Sequence, residues 1–231
     1  MMDNTHSLSK LEKDTYDAVT DTDKLSIPEQ DVLKHWKARA ARPGLQSVMS
    51  ARHTIDANIE ATRLLKEDMF DFLKGYLENR RVYELGVGIG RMTQELAKRA
   101  SEVYGNDISS EMLARAAENL RPYDNVTLRH GKIYEMNVEP GSFDLAFESI
   151  VLLHILDPEE LRKTAEAMRK LSRKVFLCEH TYEGPDFPIS KYTLLRKPEE
   201  YQELFKPYTL VKQREHRCAG DRFTFMLFEE K

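Results

Sequence analysis

Residues 81–93 read Arg-Val-Tyr-Glu-Leu-Gly-Val-Gly-Ile-Gly-Arg-Met-Thr, a short apolar segment followed by alternating glycines. The apolar residues before the glycines are typical of a buried strand, and the residues after them begin a helical pattern. Glycine permits a tight turn and the close approach of a ligand to the main chain, because a Cβ would block both. This stretch therefore predicts a strand, a ligand-binding loop and a helix, in that order.

The spacing of the glycines separates this loop from two common nucleotide-binding loops. The dinucleotide fingerprint places its third glycine at position 91, where this chain has Arg91. A phosphate-binding P-loop ends in Gly-Lys-Ser/Thr, and the residues after Gly90 do not supply that ending. The loop therefore disfavours nicotinamide and flavin nucleotides and also disfavours nucleoside triphosphate hydrolysis.

A second strand is predicted over residues 102–107, and it ends in Asp107. This acid lies about 20 residues after the first glycine, the distance at which a carboxylate can accept hydrogen bonds from ribose hydroxyls. Residues 107–111 are also a good helix start, with Asp107 or Ser109 as the capping residue. The two roles of Asp107 are compatible.

Residues 84–90, together with Asp107 and Ile108, resemble motif I and the following acidic motif of the class I S-adenosylmethionine-dependent methyltransferases. The resemblance runs from Arg81 to the C-terminus through residues 143–148, 151–155 and 174–179, and the first eighty residues match nothing family-wide. It implies S-adenosylmethionine as the cofactor, S-adenosylhomocysteine as the product and no metal. The cofactor-binding residues that it implies are Glu84, Gly86, Gly88, Gly90, Asp107, Ile108, Met112, Lys132, Ile133 and Glu148.

Within this set, the resemblance assigns Glu84 to the ammonium end of the cofactor and Asp107 to its ribose. Ile108 and Met112 are expected to sandwich the adenine. Gly131-Lys132-Ile133 departs from the Gly-Asp/Asn-Ala of the family, and a lysine cannot accept a hydrogen bond from the adenine amino group. Either the main chain around Ile133 reads the adenine, or Lys132 points to solvent.

The catalytic candidates follow the fourth and fifth predicted strands. Methyl transfer mainly requires alignment of the two reactants and exclusion of water, but an amine, phenol or acid must arrive unprotonated. Glu148, His154 and His180, with Glu179, are the side chains expected near the acceptor. His154 lies among apolar residues, which equally suits a hydrogen-bonded structural histidine, and Glu148 equally suits orientation of a ligand. The sequence selects no single base.

A long amphipathic helix is predicted over residues 53–78. From residue 81 onward, strands are predicted over residues 82–85, 102–107, 126–130, 143–149 and 173–179, and helices over residues 90–100, 109–120 and 157–171. This alternation predicts a doubly wound, mostly parallel sheet of the Rossmann-like α/β class. A hairpin is predicted from residues 208–217 and 222–229 around Ala219-Gly220-Asp221, and the resemblance implies seven strands with the last one antiparallel.

The expected organisation is a mobile tail over residues 1–25, a helical lid over residues 26–80 and a cofactor-binding domain over residues 81–231. The length of the extension, and the family's habit of covering the site with such segments, suggest Trp36, Arg39, Arg52 and His53 as lid residues. Tyr182, in the loop after the fifth predicted strand, is a further candidate near the substrate.

Composition limits the binding partners and the cellular compartment that we expect for this protein. A net charge of −4 offers no general attraction for nucleic acid or for an anionic membrane. Two cysteines, no zinc-ligand spacing and an N-terminus without a signal pattern favour the cytoplasm. The predicted function is methyl transfer to a nitrogen or oxygen of a small molecule. The alternatives are an RNA or protein methyltransferase, suggested by basic residues after position 191, and a non-catalytic protein that binds S-adenosylmethionine.

Overall fold

The computed structural model describes residues 27–49, 53–181 and 191–231. Its seven strands form one sheet in the order β3-β2-β1-β4-β5-β7-β6. The first five strands are mutually parallel, and β7 is antiparallel to both of its neighbours, which confirms the predicted fold class. The strands are β1 Arg81–Leu85, β2 Glu102–Asp107, β3 Val126–His130, β4 Leu145–Ser149, β5 Lys174–His180, β6 Thr209–Cys218 and β7 Asp221–Glu229.

The described part of the chain has six α-helices. They are α1 Glu29–Ala40, α2 Ile55–Phe72, α3 Thr93–Ala97, α4 Ser110–Asn119, α5 Pro158–Leu171 and α6 Pro198–Leu204. Three short 3-10 turns add Gly44–Ser47, Ile133–Glu135 and Leu152–His154. Among the described residues, none of these helices combines the length and the apolar character that crossing a bilayer requires.

The helix ends have local causes. The Thr54 side chain accepts a hydrogen bond from the Ala57 nitrogen at 3.2 Å and caps α2. The Asp157 carboxylate caps α5 by accepting from the nitrogens of Glu159 and Glu160. The sequence pattern predicts that α2 continues to residue 78, but the helix ends at Phe72, and Gly75 then adopts a left-handed conformation.

Apolar side chains fill both faces of the sheet. On one face, Phe147 and Phe176 stack with ring centroids 5.2 Å apart, and Phe72 of α2 packs against Phe176 at 5.8 Å. On the other face, Tyr83 and Met168 of α5 belong to a second buried cluster. The sheet is thus covered by α2 on one side and by α5 and α6 on the other.

The chain order reverses between β1 and β4, which are neighbours in the centre of the sheet. Loops that leave such a pair run to opposite faces, and the crevice between them is where open α/β sheets bind ligands. Residues 1–26, including the predicted tail, lie outside the described residues. The division into tail, lid and binding domain stays a prediction.

Candidate active site

A cavity of about 250 Å³ opens at the carboxyl ends of β1, β2 and β4. Its floor includes the glycine loop after β1, and its wall includes the segments after β3 and β4. Val32, Leu33 and Trp36 of α1 cover it, so the N-terminal helix helps to form the cavity. The position agrees with the reversal of strand order between β1 and β4.

The glycine loop lies against the segment that follows β4. Gly86, Gly88 and Gly90 all have positive φ angles, of 72°, 57° and 83°. A Cβ on Gly86 would lie 2.4 Å from Cγ2 of Val151. Only glycine satisfies both the backbone conformation and the contact at position 86.

Glu84 is buried near the end of β1, between Gly105 of β2 and Phe147 of β4. Its side chain lines the cavity, and its Oε2 has no hydrogen-bond partner among the described residues. Burial raises the pKa of Glu84 to about 8. A buried carboxylate oxygen without a partner is costly, so this site is suited to a cationic group supplied by a ligand.

Asp107 ends β2 and reaches back to the glycine loop. Its Oδ2 accepts a hydrogen bond from the Gly88 nitrogen at 2.8 Å, and its Oδ1 accepts one from the Ser109 nitrogen at 2.8 Å. The Ser109 hydroxyl caps α4 by accepting from the Met112 nitrogen. Each carboxylate oxygen has two lone pairs, so Asp107 retains acceptor capacity on the cavity side.

The segment after β3 carries an ion-paired lysine. The Lys132 Nζ lies 3.1 Å from Oε2 of Glu160 and 3.3 Å from Oε2 of Glu29, which belong to α5 and α1. Lys132 lines the cavity together with Ile133 and Ile108. The structure therefore corrects one of the expected alternatives, because Lys132 is paired at the cavity wall and does not point freely to solvent.

Glu148 is placed differently from the expectation. It is fully buried, and its Oε1 accepts a hydrogen bond from the nitrogen of the cavity-lining Val151. Burial, and then the nearby charge of Glu179, raise the pKa of Glu148 well above its ordinary value. Glu148 is not among the described residues that line the cavity, so its geometry supports neither a base nor a direct cofactor contact.

Glu179 and Arg196 hold the turn that follows β4. The Glu179 carboxylate accepts hydrogen bonds from the nitrogens of Leu152 and Leu153 at 2.7 and 3.2 Å. Arg196 donates to the carbonyl oxygens of Leu152 and Ile155 at 2.9 and 2.8 Å. Two buried charged side chains thus fix the main chain on both sides of His154.

His154 lines the cavity and has a defined tautomer. Its Nδ1 lies 2.8 Å from the carbonyl oxygen of Tyr192, which can only accept, so Nδ1 carries the hydrogen and Nε2 carries a lone pair. The Trp36 ring meets the His154 ring edge-on, with centroids 4.9 Å apart. Burial lowers the pKa of His154 to about 4, which keeps the ring neutral at pH 7. Both expected features of His154, the hydrogen bond and the position at the cavity, occur together.

The remaining candidates divide into two groups. Trp36 contributes to the cavity wall, whereas Arg39 donates to the carbonyl oxygens of Ser47 and Met49 at 3.0 and 2.7 Å and braces the segment after α1. His53 and His180 both approach the carboxylate of Asp221, at 3.2 and 3.7 Å.

These two histidines therefore lie beside the start of β7 rather than in the cavity wall, contrary to the expectation for His180 and His53. The geometry does not support His180 as a group that contacts the acceptor. Arg52 and Tyr182 lie outside the described residues.

Several cavity residues were not predicted from the sequence. Glu160, Tyr134, Asn106 and Tyr192 all line the cavity. Arg91 lines it as well, and the Nη1 of Arg91 donates to the sulfur of Met49 at 3.0 Å. Asn106 donates a hydrogen bond to the Gly131 carbonyl oxygen at 2.8 Å. Among these residues, Asn106 could have been predicted from the sequence, because it is next to Asp107, the residue expected to bind the ribose.

Several known proteins have sequences similar to that of this chain. The family described as "Methyltransferase domain" matches residues 82–174. Phosphoethanolamine N-methyltransferase 1 of Zea mays is 26% identical over 192 residues, which cover 80% of this chain and 37% of that protein. Phosphoethanolamine N-methyltransferase 3 of Arabidopsis thaliana is 27% identical over 185 residues, which cover 77% of this chain and 37% of that protein. The chain thus spans well under half the length of these curated relatives.

Solved structures show the same fold. Phosphoethanolamine N-methyltransferase 1 of Haemonchus contortus, in complex with phosphoethanolamine and S-adenosylhomocysteine, has a TM-score of 0.67 at 21% identity, covering 87% of this chain and 48% of that chain. Magnesium protoporphyrin IX methyltransferase of Synechocystis PCC 6803, with bound S-adenosylmethionine, has a TM-score of 0.65 at 14% identity, covering 89% of this chain and 99% of that chain. The matched methyltransferase domain, the strand order and the glycine loop together support the expected resemblance to the class I S-adenosylmethionine-dependent methyltransferases.

Proposed function

We propose that the chain binds S-adenosylmethionine in this cavity and transfers its methyl group to a nitrogen or oxygen of a small molecule. One observation carries the proposal. Glu84 and Asp107, at the ends of neighbouring strands, both have acceptor capacity left over in the same cavity. A ligand with an ammonium group and a ribose diol matches these two carboxylates.

The residues around the two carboxylates suit the rest of the cofactor. The main chain of the glycine loop, from Gly86 to Gly88, lets a ligand approach closely beside Glu84. Ile108 and Met112, after β2, offer apolar surfaces for a purine ring. The expected roles of Glu84, Asp107, Ile108 and Met112 are therefore kept in the proposal.

The acceptor is proposed to lie near His154. Trp36, Tyr192 and Ile155 line this side of the cavity, and α1 covers it, which suits a small molecule better than a polymer. The relatives from Zea mays and Arabidopsis thaliana are phosphoethanolamine N-methyltransferases by name, which favours the nitrogen of a small amine. Both described cysteines are buried free thiols, which is consistent with the proposed cytoplasmic location.

Bound S-adenosylmethionine supplies a methyl group on a positively charged sulfonium, and transfer of that methyl leaves a neutral thioether. The protein therefore has to align the nucleophile and exclude water. We assign the alignment to His154, whose neutral ring presents the Nε2 lone pair to an N–H or O–H of the acceptor. Glu179 and Arg196 hold the turn that carries His154.

The cavity cover is part of the proposal. Residues 26–80 are proposed to act as a lid, because Val32, Leu33 and Trp36 of α1 close one side of the cavity. Arg115 of α4 holds the end of α1 by donating to the carbonyl oxygen of Ala40 at 2.8 Å. The segment then excludes water when the cavity is filled.

Calorimetric titration with S-adenosylmethionine and S-adenosylhomocysteine tests the cofactor. We expect dissociation constants of about micromolar for the native protein, and at least a tenfold (~1.4 kcal/mol) weaker interaction for Asp107→Ala. Asp124→Ala removes an exposed aspartate and serves as the matched control, with unchanged affinity. Failure of both compounds to bind the native protein would overturn the proposal.

Transfer itself is tested with radiolabelled S-adenosylmethionine and a panel of small amines and phenols that includes phosphoethanolamine. We expect labelled product with at least one acceptor, and a larger loss in kcat than in cofactor affinity for His154→Phe. Binding of the cofactor without turnover on a broad panel, together with regulation of another protein, would instead support the non-catalytic alternative.

A further inference from the structure

A polar cluster forms where the segment after β3 meets α5. Lys132 Nζ lies 3.1 Å from Oε2 of Glu160, and the Tyr134 hydroxyl donates a hydrogen bond to the same oxygen. All three side chains line the cavity. The Lys132 and Glu160 side chains are 24% and 31% exposed, so the pair is more enclosed than an ordinary surface ion pair.

The position of this cluster follows from the proposed function, on which the inference rests. An ammonium group at Glu84 and a ribose at Asp107 orient the ligand from β1 toward β2. The base attached to the ribose then extends to the far side of β2, where β3 is the neighbouring strand. The polar side chains on that side of the cavity include those of Lys132, Tyr134 and Glu160. The carboxylate of Glu29 in α1 also pairs with Lys132, but this side chain is 64% exposed, about twice as much as that of Glu160.

The 6-amino group of adenine is a hydrogen-bond donor and needs an acceptor. Lys132 has only donors. Tyr134 donates its hydroxyl hydrogen to Glu160, and the neutral hydroxyl oxygen that remains is a weaker acceptor than a carboxylate. Glu160 retains acceptor capacity, because Lys132 and Tyr134 both use Oε2. The other oxygen, Oε1, lies 3.6 Å from Lys163 Nζ, beyond hydrogen-bond distance.

We propose that the Glu160 carboxylate accepts a hydrogen bond from the 6-amino group of the cofactor's adenine. It thereby replaces the acceptor that Lys132 does not provide. Lys132 and Tyr134 are then positioning residues that hold this carboxylate against the cavity wall. The recognition comes from a helix after β4 instead of from the loop after β3.

The charge state of the cluster agrees with this role. Burial alone raises the pKa of Glu160, but the hydrogen bonds from Tyr134 and Lys132 outweigh it and leave the pKa below its ordinary value. Glu160 is therefore ionised at neutral pH. An ionised acceptor makes a stronger hydrogen bond than a neutral one.

The experiment compares two ligands by calorimetry on the full chain. One is S-adenosylhomocysteine, and the other is its purine analogue in which hydrogen replaces the 6-amino group. We expect the native protein to bind the analogue about tenfold or more weakly, as for the loss of a hydrogen bond to a charged group. In Glu160→Ala the two ligands are expected to bind with nearly equal affinity, because the acceptor is gone.

Glu159→Ala is the matched control. Glu159 is exposed in the same turn of α5 and pairs with Arg162, so its removal is expected to leave the preference between the two ligands unchanged. Thermal unfolding of both variants checks that α5 is intact. Equal affinity of the native protein for both ligands, or a native preference retained by Glu160→Ala, would overturn the inference. Failure of S-adenosylhomocysteine to bind the native protein would instead overturn the proposed function, and this inference with it.

Discussion

The Asp107 carboxylate accepts a hydrogen bond from the Gly88 main-chain nitrogen at 2.8 Å, and this contact ties the end of β2 to the loop after β1. The other carboxylate oxygen accepts from the nitrogen of Ser109 at 2.8 Å. One side chain thus fixes two loops that border the cavity. The residue proposed to bind the ribose also shapes the site before any ligand arrives.

Asp107→Asn is expected to damage both roles. An amide has one acceptor and one donor end, so its NH2 group must face the N–H of either Gly88 or Ser109. We expect the free energy of unfolding to fall by about 1–3 kcal/mol and the affinity for S-adenosylhomocysteine to fall about tenfold or more. Denaturant unfolding and calorimetry measure the two effects. Unchanged affinity, with Asp124→Asn as the exposed control, would contradict the assignment of Asp107.

Glu84 is expected to release a proton when the cofactor binds. Burial raises the pKa of Glu84 to about 8, so the carboxyl is mostly protonated at pH 7 in the free protein. An ammonium group requires the carboxylate, so binding at pH 7 releases protons, and the affinity for S-adenosylmethionine rises as the pH rises toward 8. Titrations in two buffers with different ionisation enthalpies measure the release.

The same shift affects stability with a defined sign. The folded pKa of Glu84 lies above its ordinary value of 4.5, so its contribution to stability is present below about pH 4.5 and is lost as the pH rises through about 8.

Glu84→Gln removes the titrating group. We expect this variant to show no buffer dependence of the binding enthalpy attributable to position 84, and a dependence that persists would assign the proton to another group.

The architecture could be predicted from the sequence because strand patterns are local. The strand predicted over residues 82–85 occurs at Arg81–Leu85, and that predicted over residues 126–130 occurs at Val126–His130. Boundaries near the glycine loop were less accurate. The helix predicted over residues 90–100 is limited to Thr93–Ala97, because the loop continues past Gly90.

Residues of the candidate site could be predicted from the sequence only where a short local motif marks them. Glu84 and Asp107 are recognised from their own strand ends. The pairing of Lys132 with Glu160 joins residues 28 positions apart and depends on how α5 packs against the segment after β3. Glu148 was expected to face the cavity because it is next to the end of β4, but side chains alternate between faces, and its carboxyl is buried beside Glu179.

Gly86→Ala is expected to disturb the wall after β4. The new Cβ would lie 2.4 Å from Cγ2 of Val151, at a φ of 72° that disfavours alanine. Gly141→Ala is the matched control, because Gly141 has a φ of 69° and nothing lies within 4 Å of the Cβ that alanine would add there. We expect about 1 kcal/mol of destabilisation in the control, and a further 1–3 kcal/mol or so in Gly86→Ala from the steric clash.

The double variant Gly86→Ala/Val151→Ala separates the two causes. Removal of the valine methyl groups relieves the contact but leaves the backbone strain. We expect Gly86→Ala to bind S-adenosylhomocysteine more weakly than the native protein, and the double variant to recover part of that lost affinity. If Gly141→Ala and Gly86→Ala lose the same stability and the double variant recovers no affinity, the contact with Val151 has no role.

His154 is expected to reduce stability in mild acid. Burial lowers its pKa to about 4 from the ordinary 6.5, so between these values the unfolded chain binds more protons than the folded one. The stability contribution is therefore present above about pH 6.5 and is lost as the pH falls toward 4. His154→Asn keeps a side-chain donor for the Tyr192 carbonyl without a titrating ring. Denaturant unfolding at several pH values should show a shallower decline in this variant, and an identical decline would assign the titration to other groups.

Arg115 is expected to hold the N-terminal helix over the cavity. Its Nη1 donates to the carbonyl oxygens of Ala40 and Arg42, both at 2.8 Å, at the end of α1 where carbonyls lack helical partners. Arg115→Ala removes these bonds and the favourable charge at the helix end, so we expect faster proteolysis near residues 40–44 and faster dissociation of S-adenosylhomocysteine. Arg121→Ala, at an exposed arginine just beyond α4, is the control.

Because α1 supplies Trp36 to the cavity wall, protection from proteolysis by S-adenosylhomocysteine should be strong in the native protein and weak in Arg115→Ala. Equal protection in both proteins would show that α1 stays in place without this anchor and that the lid depends on other contacts.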